Sequence, residues 1–296
     1  MFKNVLVGVD GRPNGRDAIM LASSLTDPDG KLTLAHIHVG PGSEASASEA
    51  ATTLLEQERA ACEVSAELIG IRSDSPGRGL HQHAEAHDVD LLVVGSCSHG
   101  AFGRAMLGDD TRSALNGASC AVAIAPLGYA QHTHAIAKIG VGYNGSNESQ
   151  AALAIARQLA APTDATVHVL EVVSIPTYAY TGLMPPAIGE SIDMMLQEAA
   201  KRMKALHDVD GRAVYGIAGE ELAIFSEELD ILIVGSRSYG PVRRLVLGST
   251  SDYLERSARS ALLVLPRVLA GLSMDSGTPA ESPADVGGPR VELLSS

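Results

Sequence analysis

The sequence repeats itself. The run Val5-Leu6-Val7-Gly8-Val9-Asp10-Gly11 has a counterpart in Ile139-Gly140-Val141-Gly142-Tyr143-Asn144-Gly145, and Asp90-Leu91-Leu92-Val93-Val94-Gly95-Ser96 has one in Asp230-Ile231-Leu232-Ile233-Val234-Gly235-Ser236. In each half a glycine-rich turn, a short helical segment and a last apolar run ending in Pro then follow, the runs being Ala121–Pro126 and Ala261–Pro266. Matched motifs in matched order indicate duplication, which confines the chain to two copies of one plan. At 296 residues, each copy is long enough to bury a core of its own. The interval from Asp90 to Asp230 exceeds that from Val5 to Ile139, and the Pro-, Tyr- and Gly-rich connection Ser174–Ile188 is the expected place for the extra residues.

Within a copy, short apolar runs alternate with helical periodicity. In the first, Asn4–Val9 reads as a strand covered on both faces, and Asn14–Leu25 has helical spacing in Ala18, Leu21, Ala22 and Leu25. Leu32–Val39 is a second strand, Glu49–Glu67 a helix, and Leu68–Arg72 part of a third strand. Gly79–His87 is helical, and Leu91–Val94 and Ala121–Ala125 are the fourth and fifth strands. This alternation predicts an α/β fold: two tandem doubly wound parallel sheets with right-handed crossovers. The first domain is expected over 1–128, a linker over 129–136, the second domain over 137–267, and a disordered tail over 268–296, where Ser, Gly, Pro and Asp show no sustained period.

Charge and cysteine content narrow the classes of function. A net charge of −13 argues against a broad basic surface for nucleic acid or anionic lipid. The three cysteines, Cys62, Cys97 and Cys120, show no CxxC spacing and indicate a reducing compartment. Lys3–Asp10 reads as a strand directly after Met1, and no apolar run approaches the ~20 residues of a membrane helix. A cytoplasmic protein without signal peptide, membrane or nucleic-acid partner is the expectation.

In a doubly wound sheet the ligand crevice lies beyond the C-terminal strand ends where the winding reverses, which, with strand one at the centre, is between the loops after strands one and four. Those loops carry Asp10-Gly11 and Gly95-Ser96-Cys97-Ser98-His99-Gly100 in the first copy. Small residues let backbone N–H groups approach an anion, and a following helix N-terminus favours negative charge. A phosphate-bearing ligand is the natural fit.

Both halves resemble the universal stress protein family, and together they resemble its tandem form, over roughly 1–128 and 137–267. The resemblance implies five strands per domain in the order 3-2-1-4-5 and, for many members, ATP binding. The family's motif is Gly-x2-Gly-x9-Gly-(Ser/Thr), with an Asp ending strand one and a Val on strand two at the adenosine portion. Carried over, the second half offers Gly235, Ser238 in place of the second Gly, then Gly248, Ser249 and Thr250, with Asn144 and Val172 as the two strand positions. The first half offers Gly95, Ser98, Gly108, Asp10 and Ile37, but Asp109-Asp110 stands where a hydroxyl should meet phosphate and repels it. Arg237, Arg243 and Arg244 flank the second loop against Arg104 alone in the first. The expected ligand is therefore ATP, AMP or ADP, with Mg²⁺ as an optional companion, held chiefly in the second domain.

Plainer readings compete. Asp10-Gly11 can be an Asx turn into the first helix, the Gly-Ser pairs plain strand-to-helix turns, Arg243 and Arg244 a solvated helix face, and Ser249-Thr250 the N-cap of a helix over Ser251–Arg259. His81, His83 and His87 include a pair one turn apart, yet without an HExxH-type signature a solvated face outweighs a metal site. His36 and His38 read as packing or crevice-edge residues, and Cys62 and Cys120 as buried positions. No GxxxxGK[ST] loop or nucleophile–His–carboxylate set is legible, so at most slow ATP hydrolysis is expected. The leading function is an adenine-nucleotide-binding stress or regulatory protein; the alternative is a nucleotide-independent scaffold with decayed crevices. Apolar fifth strands at the sheet edge predict a pseudo-twofold pair within the chain, with a homodimer of chains left open. The linker, about 25 Å when extended, reaches across such a pair.

Overall fold

A computed structural model describes residues 1–39, 44–96, 116–131, 135–174, 187–236, 245 and 248–266. The first half runs β1 (Phe2–Gly8), α1 (Pro13–Leu25), β2 (Thr26–His38), α2 (Glu44–Ala61), β3 (Glu67–Arg72), α3 (Pro76–Ala86), β4 (Leu91–Gly95) and β5 (Ala121–Ala125). A 3-10 turn, Tyr129–Gln131, precedes the second half. That half runs β6 (Lys138–Tyr143), α4 (Asn147–Ala160), β7 (Thr166–Val173), α5 (Ala187–Ala205), β8 (Asp210–Tyr215), α6 (Ala218–Ser226), β9 (Ile231–Gly235), α7 (Ser249–Ser257) and β10 (Ala261–Leu265).

The strands form one ten-stranded sheet in the order β3-β2-β1-β4-β5-β10-β9-β6-β7-β8, so each half has the order 3-2-1-4-5. Pairing is parallel within each half. At the junction β5 and β10 run antiparallel, with Leu263 opposite Ala123.

Apolar strands are continuous because both faces are covered. Val5, Val7, Leu91 and Val93 face a cluster built with Ile19, Leu21 and Leu25 of α1 and Leu153 and Ala156 of α4. Their neighbours Leu6, Leu92 and Val94 face the opposite cluster, with Leu80 of α3, Leu222 and Phe225 of α6 and Leu254 of α7. Each fully buried Leu or Ile removes enough apolar surface from water to contribute about 1.5–3 kcal/mol before entropy.

A repeated aspartate ties the strands together at their N-terminal ends. Asp90 accepts the N–H groups of Lys3 (2.8 Å) and Asn4 (3.0 Å), and Asp230 accepts those of Ala137 and Lys138, both at 2.8 Å. Each carboxylate, just ahead of the fourth strand of its half, thus sets the register of the first.

Among the element limits that differ from the sequence expectation, three have a local cause. Helix α2 ends at Ala61 rather than Glu67, because Glu63 turns left-handed (φ 53°) and the N–H groups of Glu63 and Val64 return to Ala60 and Arg59. That is a Schellman closure, with Glu where Gly is usual. Strand β2 begins at Thr26, well ahead of Leu32, since its first residues still pair with β1 beyond an irregularity. Helix α7 spans Ser249–Ser257 instead of Ser251–Arg259; Gly248 is its N-cap, so Ser249 and Thr250 lie inside the helix. Ser251 supplies the side-chain oxygen, accepting the Gly248 N–H at 2.9 Å.

Candidate functional site

The first strand of each half ends in a turn built twice in the same way. Asp10 accepts the Arg12 N–H at 3.0 Å, and Asn144 accepts the Ser146 N–H at 3.1 Å. Between them Gly11 and Gly145 take φ of 80° and 77°, a region that side chains with a Cβ avoid. The Asx turn is therefore present in both halves. It leads into a helix whose N-terminus sits beside the end of the fourth strand, and in the second half Ser146 caps that helix by accepting the Ser149 N–H.

Gly95 and Gly235 end the fourth strands at this closest approach. A Cβ on Gly95 would lie 2.2 Å from the Asn14 carbonyl oxygen, and one on Gly235 would lie 2.6 Å from Glu148 Cβ. Contact between helix and strand alone requires glycine at both places.

In the second half these elements enclose a cavity of about 420 Å³ at the C-terminal ends of β6, β7 and β9. The sequence-derived positions Asn144, Val172, Gly235, Gly248, Ser249 and Thr250 all line it. Leu170, Val172, Leu222 and Val234 give it an apolar side. Hydroxyls of Ser146, Ser149, Ser174, Ser236 and Ser251 join those of Ser249 and Thr250, and Glu148 is the carboxylate among the described lining residues. The N-terminus of α7 faces the same space, so the cavity combines an apolar wall with uncharged donors and a favourable dipole for an anion.

The first half has a cavity of about 90 Å³ in the corresponding place, lined by Asp10, Ile37 and Gly95 together with His36, Leu80 and Val94. His36 Nδ1 donates to the Val9 carbonyl at 2.8 Å. The described lining of each cavity includes one carboxylate, Glu148 in the second and Asp10 here; the second adds hydroxyls where this one adds an imidazole. Ser98, Gly108 and Ser238, with Cys97, Arg104, Asp109, Asp110, Arg237, Arg243, Arg244 and the tail, lie outside the described residues.

The histidines of α3 do not converge on one point. The rings of His83 and His87 stack at 3.9 Å, and His87 Nδ1 donates to the His83 carbonyl. Among the described residues no three His, Cys, Asp or Glu side chains are grouped to hold a metal. Among them, too, no helix is long and apolar enough to cross a membrane. Sequence reasoning did not pick out the hydroxyls of Ser146 and Ser149. The available signal was the S-x-x-S spacing at the start of α4, a capping pattern that also aims oxygens at the crevice.

Fold and crevices define a class: a tandem of doubly wound α/β domains with a ligand-sized opening at the strand ends. The sequence profile of the universal stress protein family matches residues 1–126 and 136–266, and the chain belongs to that family. A universal stress protein of Mycobacterium tuberculosis is 25% identical over 210 residues, covering 65% of this chain and 69% of its own. A second from that organism is 27% identical over 193 residues, covering 60% and 62%. In fold, the chain resembles a crystal structure of a universal stress protein from Archaeoglobus fulgidus, with a TM-score of 0.64 over 90% of this chain and 99% of that one, at 17% identity.

Proposed function

We propose that the protein binds one adenine nucleotide per chain, in the cavity of the second half, and acts as a nucleotide-responsive stress or regulatory protein. The observation that carries this is the convergence of Asn144, Val172, Gly235, Gly248, Ser249 and Thr250, from separate stretches of sequence, on a single space of about 420 Å³. Such a volume suits a drug-sized or nucleotide-sized ligand, for which sites run ~300–1,000 Å³. The apolar side accommodates a base, and the hydroxyls and helix N-terminus accommodate phosphates, with Mg²⁺ as an optional companion of the phosphates. The smaller first cavity, with Asp10 and His36 on its wall and Asp109 following Gly108 in sequence, is the poorer site for a polyanion.

On this reading the working units are 1–128 and 137–267, joined by the linker 129–136 and followed by the tail 268–296. The antiparallel register of β5 on β10 supports their acting as a pseudo-twofold pair within one chain, and light scattering of the purified protein tests for a further homodimer. Free thiols at Cys62 and Cys120 suit a cytoplasmic location. A second reading, a nucleotide-independent scaffold, is favoured by one observation: packing alone explains glycine at positions 95 and 235.

Calorimetric titration with ATP separates the two, using Gly248→Asp as the control. Gly248 is an N-cap in extended conformation (φ −81°, ψ 171°), where Asp is among the preferred residues, so the variant keeps α7 while putting a carboxylate into the cavity. The expected result is a stoichiometry near one and an affinity loss of at least tenfold, about 1.4 kcal/mol or more, in the variant. Two equal sites per chain would remove the asymmetry, and no heat of binding would leave the scaffold.

A further inference from the structure

Leu245 belongs to the connection between β9 and α7, shortly ahead of Gly248, yet its partners come from the other half of the chain. Its N–H donates to the Ala118 carbonyl at 2.8 Å, and its own carbonyl accepts the Gly117 N–H at 3.0 Å. Two consecutive residues, Gly117 and Ala118, thus oppose the single residue Leu245, the two-against-one pattern of a β-bulge with glycine in its first position. The Leu245 side chain is fully buried, in the cluster that also holds Ala118, Cys120 and Leu80 of the first half and Leu254 of the second. Gly117 takes φ of 103° to present its N–H, a conformation that favours glycine.

The consequence is geometric. Three residues of chain span at most about 10 Å, so a Leu245 fixed on the first half limits where Gly248 and the start of α7 can lie. Gly248, Ser249 and Thr250 form part of the wall of the large cavity, whereas Leu245, Gly117 and Ala118 do not line it. We infer that the first half is a working part of the second half's ligand site: through Leu245, held on Gly117 and Ala118, it positions the Gly248–Thr250 segment against the phosphates of a bound nucleotide. The identity of the ligand rests on the function proposed above; the mechanical link does not. A first half with a small cavity then has a task that requires no nucleotide of its own. Leu245, Gly117 and Ala118 are positioning residues.

The test uses the full chain, ATP as the probe, and three variants: Leu245→Ala, Leu245→Met and Leu229→Ala. Leu229 is buried in the second half, in the same apolar cluster and away from the cavity lining, so its truncation controls for general loss of stability. Calorimetry reads ATP affinity, and hydrogen exchange reads the amides of Gly248 and Asp252, which donate to Ser251 Oγ and the Gly248 carbonyl. Leu245→Ala is expected to weaken ATP binding at least tenfold and to speed both amides at least tenfold, with Leu245→Met within threefold of wild type. Leu229→Ala is expected to lower the melting temperature and leave affinity and both amides close to wild type. Unchanged affinity and exchange in Leu245→Ala, or equal losses in Leu229→Ala, would overturn the inference. Should wild type bind no ATP, the nucleotide reading falls alone, and the exchange comparison still decides whether Leu245 orders the start of α7.

Discussion

The carboxylate of Asp17, in the middle of α1, accepts the backbone N–H of Gly128 at 2.9 Å, and its second oxygen accepts that of Ala130 at 2.8 Å. Asp17 is only 3% exposed, so this is a buried carboxylate whose partners lie where the first half passes into the link. Tyr129, between those two residues, approaches Ser24 of the same helix at 3.4 Å through its hydroxyl. The corresponding place in α4 holds Ala151, so the link is fastened to the first half by a residue that the duplication did not keep in both copies.

Asp17→Ala is expected to destabilise the protein by about 1–3 kcal/mol, since it strips two N–H groups of a charged acceptor. Urea unfolding measures the loss. Limited proteolysis should show new cleavage at residues 128–131, and an unchanged cleavage pattern would mean that the link is held by other contacts.

Gly95→Ala and Gly235→Ala are expected to destabilise by about 1–3 kcal/mol or more, the range for overpacked cores. Gly95→Ala should cost more, because the added methyl meets a backbone oxygen at 2.2 Å, whereas at position 235 the nearest atom is a side-chain carbon at 2.6 Å. Thermal melts of both variants check the order. Equal and negligible effects would show that the helix starts can retreat from the sheet.

His83 titrates below its ordinary 6.5, first because it is partly buried and then because His87 and Lys31 add positive charge. With the folded value lowered, the unfolded chain takes up the proton first as pH falls. Stability is therefore full above the unfolded value and declines as pH drops below about 6.5 toward the folded one. His38, lowered by burial and by His36 and Arg72, adds to the same trend. Urea midpoints at pH 7.5 and 5.5 should fall with acid in wild type and fall less in His83→Gln. A variant as acid-sensitive as wild type would place the effect elsewhere.

Burial pushes the Cys120 thiol up to about 12, against an ordinary 9.0. At a given pH that leaves about a thousandfold less thiolate, the nucleophilic form. Iodoacetamide at pH 8, followed by peptide mass spectrometry, should leave Cys120 unmodified in the folded protein and label it fully in urea. Half-buried Cys62, also raised by burial, should react at an intermediate rate. Rapid native labelling of Cys120 would mean that the region around Ala118 and β5 opens readily.

Much of the fold is legible in the residues themselves. Runs such as Val5-Leu6-Val7 and Leu91-Leu92-Val93-Val94 are uninterrupted because both faces of the sheet are covered, and their repetition at matched places dictates two copies of one α/β plan. The loops that line the crevice were legible at one remove, since the glycines after strands one and four mark them once the strand order implied by the family resemblance is taken over. Local limits were less so. The end of α2 depends on Glu63 entering a left-handed conformation that its side chain does not announce, and the start of α7 on Ser251 reaching back to Gly248.

The sequence by itself determined the two-copy α/β architecture and the glycine-bearing turns that follow the strands, because periodicity, burial and glycine placement are local properties of the chain. The tertiary structure alone decided the particular long-range contacts: the fastening of the link, the bridge through Leu245 and the register of the fifth strands. Asp17 reaches Gly128 and Ala130, Leu245 reaches Gly117 and Ala118, and Leu263 lies opposite Ala123. Each of these contacts joins positions more than a hundred residues apart in the chain, where no local spacing carries a signal, and the last two exist only once the halves have met edge to edge in one sheet.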